Sequence, residues 1–92
     1  MVEFKKSTRK GKKYMAKTPS GRWVHFGNLT GDAIEHYRDT TGLALYKNLD
    51  HNDPKRKIMY RKRHSAIKTK EGKLAYLDPE QPAYYSWRFL WG

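Results

Sequence analysis

The sequence contains no cysteine, which excludes disulfides and thiolate-bound zinc. Stability must therefore come from packing or from self-association. No apolar run reaches the roughly 18 residues that would span a bilayer, and nothing resembles a signal peptide. The expected setting is intracellular, or inside a particle assembled within a cell. Acids are scarce as well. Nine Asp and Glu stand against 20 Lys and Arg, leaving a net charge of +11. The hydrophobic fraction is only 37%, but it includes three Trp, seven Tyr and three Phe. Aromatic side chains bury about 150–250 Å² each, so a few of them can build the core that aliphatics do not supply. A chain of 92 residues suits one small domain with a thin core.

The charge is unevenly spread. Lys5, Lys6, Arg9, Lys10, Lys12 and Lys13 face Glu3 alone in the first 13 residues. From Pro54 to Lys70 there are eight cations and no acid. Such segregation points to a basic tail plus a basic face, both suited to a polyanion. Residues 1–12 lack hydrophobic periodicity and are expected to form a disordered basic tail, with residues 13–92 forming a single α+β domain.

Along that domain, residues 13–17 and 22–26 flank Thr18-Pro19-Ser20-Gly21. Pro at the second and Gly at the fourth position favour a type I turn, so this stretch reads as a β-hairpin. Val24 and Phe26 share one face, Trp23 and His25 the other. Residues 30–41 read as a helix with Ala33, Ile34 and Tyr37 on a narrow apolar stripe and Gly42 as its stop. Leu43-Ala44-Leu45-Tyr46 is too apolar for an exposed linker and reads as a third strand or a buried turn.

Asp53-Pro54 is a strong helix start: the Asp side chain accepts from free N–H groups of the first turn, and Pro suits the first helical position. A basic helix is expected from Pro54 to about residue 66. Ile58, Met59 and Ala66 would form its buried side, with Arg56, Lys57, Tyr60, Arg63 and His64 spread over the other. Leu74 to Leu77 reads as a short strand, and Asp78-Pro79-Glu80-Gln81-Pro82 as a break. Residues 83–91 read as a last helix whose aromatics either plug the core or meet a second subunit. The fold class expected is α+β: an N-terminal β-hairpin, two or three short helices and an aromatic-rich C-terminal segment.

The order His25-Phe26-Gly27, Asp50-His51, Tyr60-x-x-Arg63-His64, then Ser86 to Leu90-Trp91 resembles a small domain family of unknown function. That family is found in nucleocytoplasmic large DNA viruses, including phycodnavirus-like, mimivirus-like and marseillevirus-like genomes. The resemblance covers residues 13–92 and omits the basic tail. It implies a viral origin and a location in the virion or the virus factory of the infected cell, and it supplies no catalytic activity.

Nucleic-acid binding with weak sequence preference is the leading expectation, with a role in genome packaging or organisation and with DNA favoured over RNA. Its contact set is Lys5, Lys6, Arg9, Lys10, Lys12, Lys13, Lys55, Arg56, Lys57, Tyr60, Arg61, Lys62 and Arg63. Arg offers planar forks to phosphate and Lys a point charge, while Tyr60 would stack on an unpaired base. No helix-turn-helix or RNA-recognition signature is present. The alternative is a structural or interaction protein that forms a homodimer or a capsid or core contact through Tyr84, Tyr85, Trp87, Phe89 and Trp91. A lesser alternative is a nuclease: Asp50, His51, Asn52, Asp53, His64 and His25 have the residue types of ββα-metal nucleases, without their clear ligand spacing. The plainer reading has Asp50 and His51 bonding the loop while Asp53 caps the helix. Four scattered His residues are a poor basis for zinc, and His25 and His64 read as half-buried residues tying the hairpin to the basic helix. No enzyme activity, catalytic residue, metal or cofactor is expected, and no membrane partner, because no amphipathic helix joins the aromatics to the basic run.

Overall fold

Alternation along residues 12–28 gives the strongest local structure. In the computed structural model, which describes residues 2–29 and 34–92, β2 (Lys12–Lys17) and β3 (Trp23–Asn28) pair antiparallel, with Tyr14 opposite Phe26 and Ala16 opposite Val24. The turn is closed by Gly21 N–H donating to the Thr18 carbonyl at 2.9 Å and by Thr18 N–H donating to that of Arg22 at 2.7 Å. Gly21 has φ +86°. A three-residue loop ending in a left-handed Gly matches the right-handed twist of the strands it joins.

The sheet has a third strand, and it comes from an unexpected place. Phe4–Lys6, assigned above to a disordered tail, is β1 and pairs with β2 in the order β1-β2-β3. Phe4 explains this: its ring meets Phe89 edge-on at 4.7 Å and Phe26 at 5.9 Å. One ring in the core and an edge to pair with outweigh the polar composition around it.

The sheet is covered by α2 (Pro82–Phe89) and the residues after it. Tyr14, Ala16, Val24, Phe26, Tyr85, Leu90 and Trp91 are all buried in one cluster. The C-terminal aromatics therefore plug the core. The preceding Asp-Pro segment locks onto the hairpin turn: Ser20 Oγ and Ser20 N–H donate to the Glu80 carboxylate at 2.6 and 3.1 Å, and Arg22 donates to the Glu80 carbonyl at 2.6 Å. Expectations for an α+β domain with an N-terminal hairpin, two helices and an aromatic-rich C-terminus hold.

Three local expectations do not. Of the helix expected over residues 30–41, the first four residues lie outside the described ones, and residues 34–41 are not helical. They are tied down by long-range backbone contacts instead: His36 bridges Asp50, Arg38 N–H donates to the Leu90 carbonyl at 2.9 Å and Thr40 N–H to that of Phe89 at 2.8 Å. Leu43 and Leu45 are exposed in a loop in which Ala44 has φ +55°, so this stretch is neither strand nor buried turn. Ala75–Leu77 is a single 3-10 turn that follows a bridge between Lys68 and Leu74, not a strand.

The basic helix α1 (Pro54–His64) begins as its sequence requires. Asp53 accepts from Lys55 N–H at 3.0 Å, and Pro54 takes the first helical position. Its burial is the reverse of that expected. Ile58 and Met59 are 64% and 62% exposed, whereas Tyr60 is only 8% exposed. The Tyr60 ring lies between Trp91 (4.2 Å, planes 2° apart) and His64 (4.0 Å, 19°), and its hydroxyl meets Ser86 Oγ at 3.0 Å. A flat ring with a polar tip fills a slot between aromatics that Ile58 and Met59 do not match in shape.

Candidate nucleic-acid interface

The helical period decides which cations share a side. Arg56, Met59, Tyr60, Arg63 and His64 recur at the spacing of one helix face. That face borders a cleft of about 620 Å³ whose other wall is formed by Lys12, His25, Gly27 and Asn28 at the end of the sheet. Phe26, Tyr60, Leu90 and Trp91, all buried, contribute its apolar lining, and Ser86 adds a hydroxyl. The cleft thus joins the N-terminal basic segment to the basic helix, although over 40 residues separate them in sequence.

Not every cation at the cleft is equally free. Arg56 donates to Glu35 at 3.1 Å, and Glu35 also lines the cleft. Lys12 Nζ donates to the Asn28 amide oxygen at 2.9 Å. Among the described residues, neither Lys12 nor Arg63 has a carboxylate within ion-pair range. His25 and His64 are pulled below the ordinary imidazole value, first by burial and then by neighbouring cations: Arg9 and Lys12 for His25, Arg63 for His64. Both shifts favour the neutral imidazole, so the cleft's positive potential comes mainly from Lys and Arg. His25 Nδ1 meets Ser7 Oγ at 2.7 Å, so it ties β3 to the β1–β2 loop.

Two members of the expected contact set are buried. Lys13 is 1% exposed; its Nζ donates to the Ile34 carbonyl at 2.5 Å and to His36 Nδ1 at 2.8 Å. The opposite ring nitrogen of His36 contacts Asp50 at 2.5 Å. Tyr60 has both ring faces covered and has none left for a base. Lys57 lies over the Tyr37 ring at 4.7 Å, and Arg61 lies over Trp87 at 4.7 Å while donating to the Trp91 carbonyl at 3.1 Å. These two cations brace the helix. Lys5 sits over Trp23 at 5.1 Å, and Lys6, Arg9, Lys10, Lys55 and Lys62 are exposed. Of the expected interface aromatics, Tyr85 and Trp91 are core residues; Tyr84, Trp87 and Phe89 are half-buried.

The loop around Asp50 follows its plainer reading. Asp50 also accepts from Asp39 N–H at 3.0 Å, and His51 Nδ1 accepts from Asp53 N–H at 2.9 Å. Among the described residues no three metal-ligating side chains converge. His25 and His64, expected as half-buried residues tying the hairpin to the basic helix, are both half-buried and line this one cleft, but His25 bonds Ser7 and His64 stacks on Tyr60. Sequence reasoning missed Asn28, Glu35 and Ser86, which carry no local signal because their neighbours in the cleft are distant in the chain.

The buried Lys13 has a measurable consequence. Burial pulls its amine from 10.5 down to about 8, against the upward pull of Asp39, Asp50 and Glu35. Tyr14 next to it is pushed up to about 12 by burial and by its bond to Asp39. Above pH 8 the folded chain has released the Lys13 proton while the unfolded chain still holds it, so stability rises with pH. Above pH 10 the unfolded chain loses the tyrosine proton that the fold retains, so stability falls; burial raises Tyr60 and Tyr85 in the same direction. The urea midpoint should therefore peak near pH 10, and Lys13→Met should remove the rise that precedes the peak. A wild-type midpoint that falls steadily from pH 8 would contradict this.

Comparison with curated proteins and with solved structures yields no match. Residues 2–31, which contain all three strands and part of the tail left out of the resemblance noted above, match the model of a family of unknown function (DUF5754).

Proposed function

We propose that this protein binds nucleic acid with weak sequence preference, through the cleft between the sheet end and α1 and the exposed cations around it. The observation that carries this reading is the convergence of two distant basic segments, through Lys12, Arg56 and Arg63, on one cleft with an aromatic lining. Cations that displace condensed counterions supply affinity without reading sequence. A viral setting, with a part in genome packaging or organisation in the virion or virus factory and DNA as the favoured ligand, rests on the motif resemblance. The test is binding of duplex DNA, single-stranded DNA and RNA at increasing salt, by wild type and by a Lys12→Glu/Arg63→Glu variant.

A second reading, an interaction protein, draws on one specific observation. Ile58 and Met59 are adjacent and mostly exposed on α1, flanked by the exposed Lys55 and Lys62. A homodimer would then form through this patch and not through Tyr85 or Trp91. Light scattering over a range of concentrations should show self-association that Ile58→Ser/Met59→Ser abolishes; a monomer at every concentration removes the dimer form of this reading.

A further inference from the structure

Ring geometry in the cleft bears on the form of nucleic acid it would take. Trp91, Tyr60 and His64 form a continuous stack with centroid separations of 4.2 and 4.0 Å. Tyr60 is enclosed between its neighbours. His64 ends the stack and lines the cleft.

The cleft's size and lining fit a flat ring. About 620 Å³ lies within the roughly 300–1,000 Å³ typical of ligand pockets. Its lining is mixed: apolar side chains stand beside several polar ones, among them Lys12, Asn28, Arg63 and Ser86, with Glu35 as its one carboxylate among the described residues. Duplex DNA keeps its bases stacked inside the helix and presents phosphates outward, so it has no free ring to insert. An unpaired base does, and single strands are commonly recognised by stacking on aromatic or His side chains. The position of charge agrees. Glu35 neutralises Arg56, so the strand's phosphates would meet Lys12 and Arg63, on opposite walls of the cleft.

We propose that the cleft takes single-stranded nucleic acid, with one unpaired base extending the stack from His64 and the flanking phosphates on Lys12 and Arg63. This rests on the nucleic-acid reading above. The base is held by its π-face, which every base has, so sequence preference is weak for a structural reason.

The test is fluorescence anisotropy at low salt with a thymidine oligonucleotide of about 12 nucleotides and with the matching duplex. Wild type should bind the single strand at least roughly 10-fold more tightly than the duplex. His64→Ala should weaken single-strand binding by roughly 10-fold, and His64→Phe should restore it by returning a ring. Equal wild-type affinity for the two ligands overturns the inference while leaving nucleic-acid binding intact, and this comparison needs no variant to fold. A His64→Phe variant as weak as His64→Ala overturns the stacking role. Absence of binding to either ligand overturns both this inference and the reading beneath it.

Discussion

Tyr60→Ala should lower the unfolding free energy by about 3–5 kcal/mol, the usual cost of emptying a large aromatic site. Small domains have only about 5–15 kcal/mol in total, so the variant should be largely unfolded or close to it at 37 °C. The reason is position: the ring is flanked by Trp91 and His64, and its hydroxyl meets Ser86 on α2. Removing it detaches α1 from the C-terminal plug. Tyr60→Phe, which loses the hydroxyl contact and keeps the ring, should cost about 1 kcal/mol. By contrast, Ile58→Ala and Met59→Ala should each change stability by less than about 0.5 kcal/mol, because both side chains are mostly in water. Urea unfolding followed by tryptophan fluorescence checks the series. If Ile58→Ala destabilised more than Tyr60→Ala, the orientation of the helix would be wrong.

The second large effect concerns binding. Lys12→Glu/Arg63→Glu should reduce affinity for nucleic acid by roughly 10²-fold or more at about 0.1 M salt. Each phosphate contact contributes a little under one power of ten per tenfold change in salt, and two contacts are lost and replaced by repulsion. Arg61 is unsuitable for such a test, since it braces Trp87 and Trp91 and its loss would confuse folding with binding. Lys68→Glu/Lys70→Glu is the appropriate control: it makes the same change in charge at two exposed positions that do not line the cleft. Equal losses for the control and the cleft variant would show that net charge, not the cleft, governs binding.

The parts of this fold that could be read from sequence are those specified by neighbouring residues. Thr18-Pro19-Ser20-Gly21 specifies its own turn, and the alternation of Val24 and Phe26 with Trp23 and His25 specifies which side is buried. Asp53-Pro54 specifies a helix start. What could not be read depends on distant partners. Phe4 is a single apolar residue among charges, and only contact with Phe26 and Phe89 makes its strand worthwhile. Around His36 and Asp39 the buried groups are polar, satisfied by Lys13, Asp50 and Tyr14, and a pattern of apolar residues says nothing about them. In α1 the aliphatic pair drew the apolar face to the wrong side, because the slot that accepts Tyr60 is built by Trp91, 31 positions further along the chain. The site followed the same division. The cations were evident one by one, but the cleft that brings Lys12 to Arg63 required the fold.

The most direct measurement is nucleic-acid affinity from 50 to 200 mM salt. With about six phosphates contacted, affinity should fall by roughly 10^2.5 (single strand) to 10^3.3 (duplex) over that range, and the Lys12→Glu/Arg63→Glu variant should show a slope shallower by about 1.4–1.8. A wild-type curve that stays flat across the range would contradict the account.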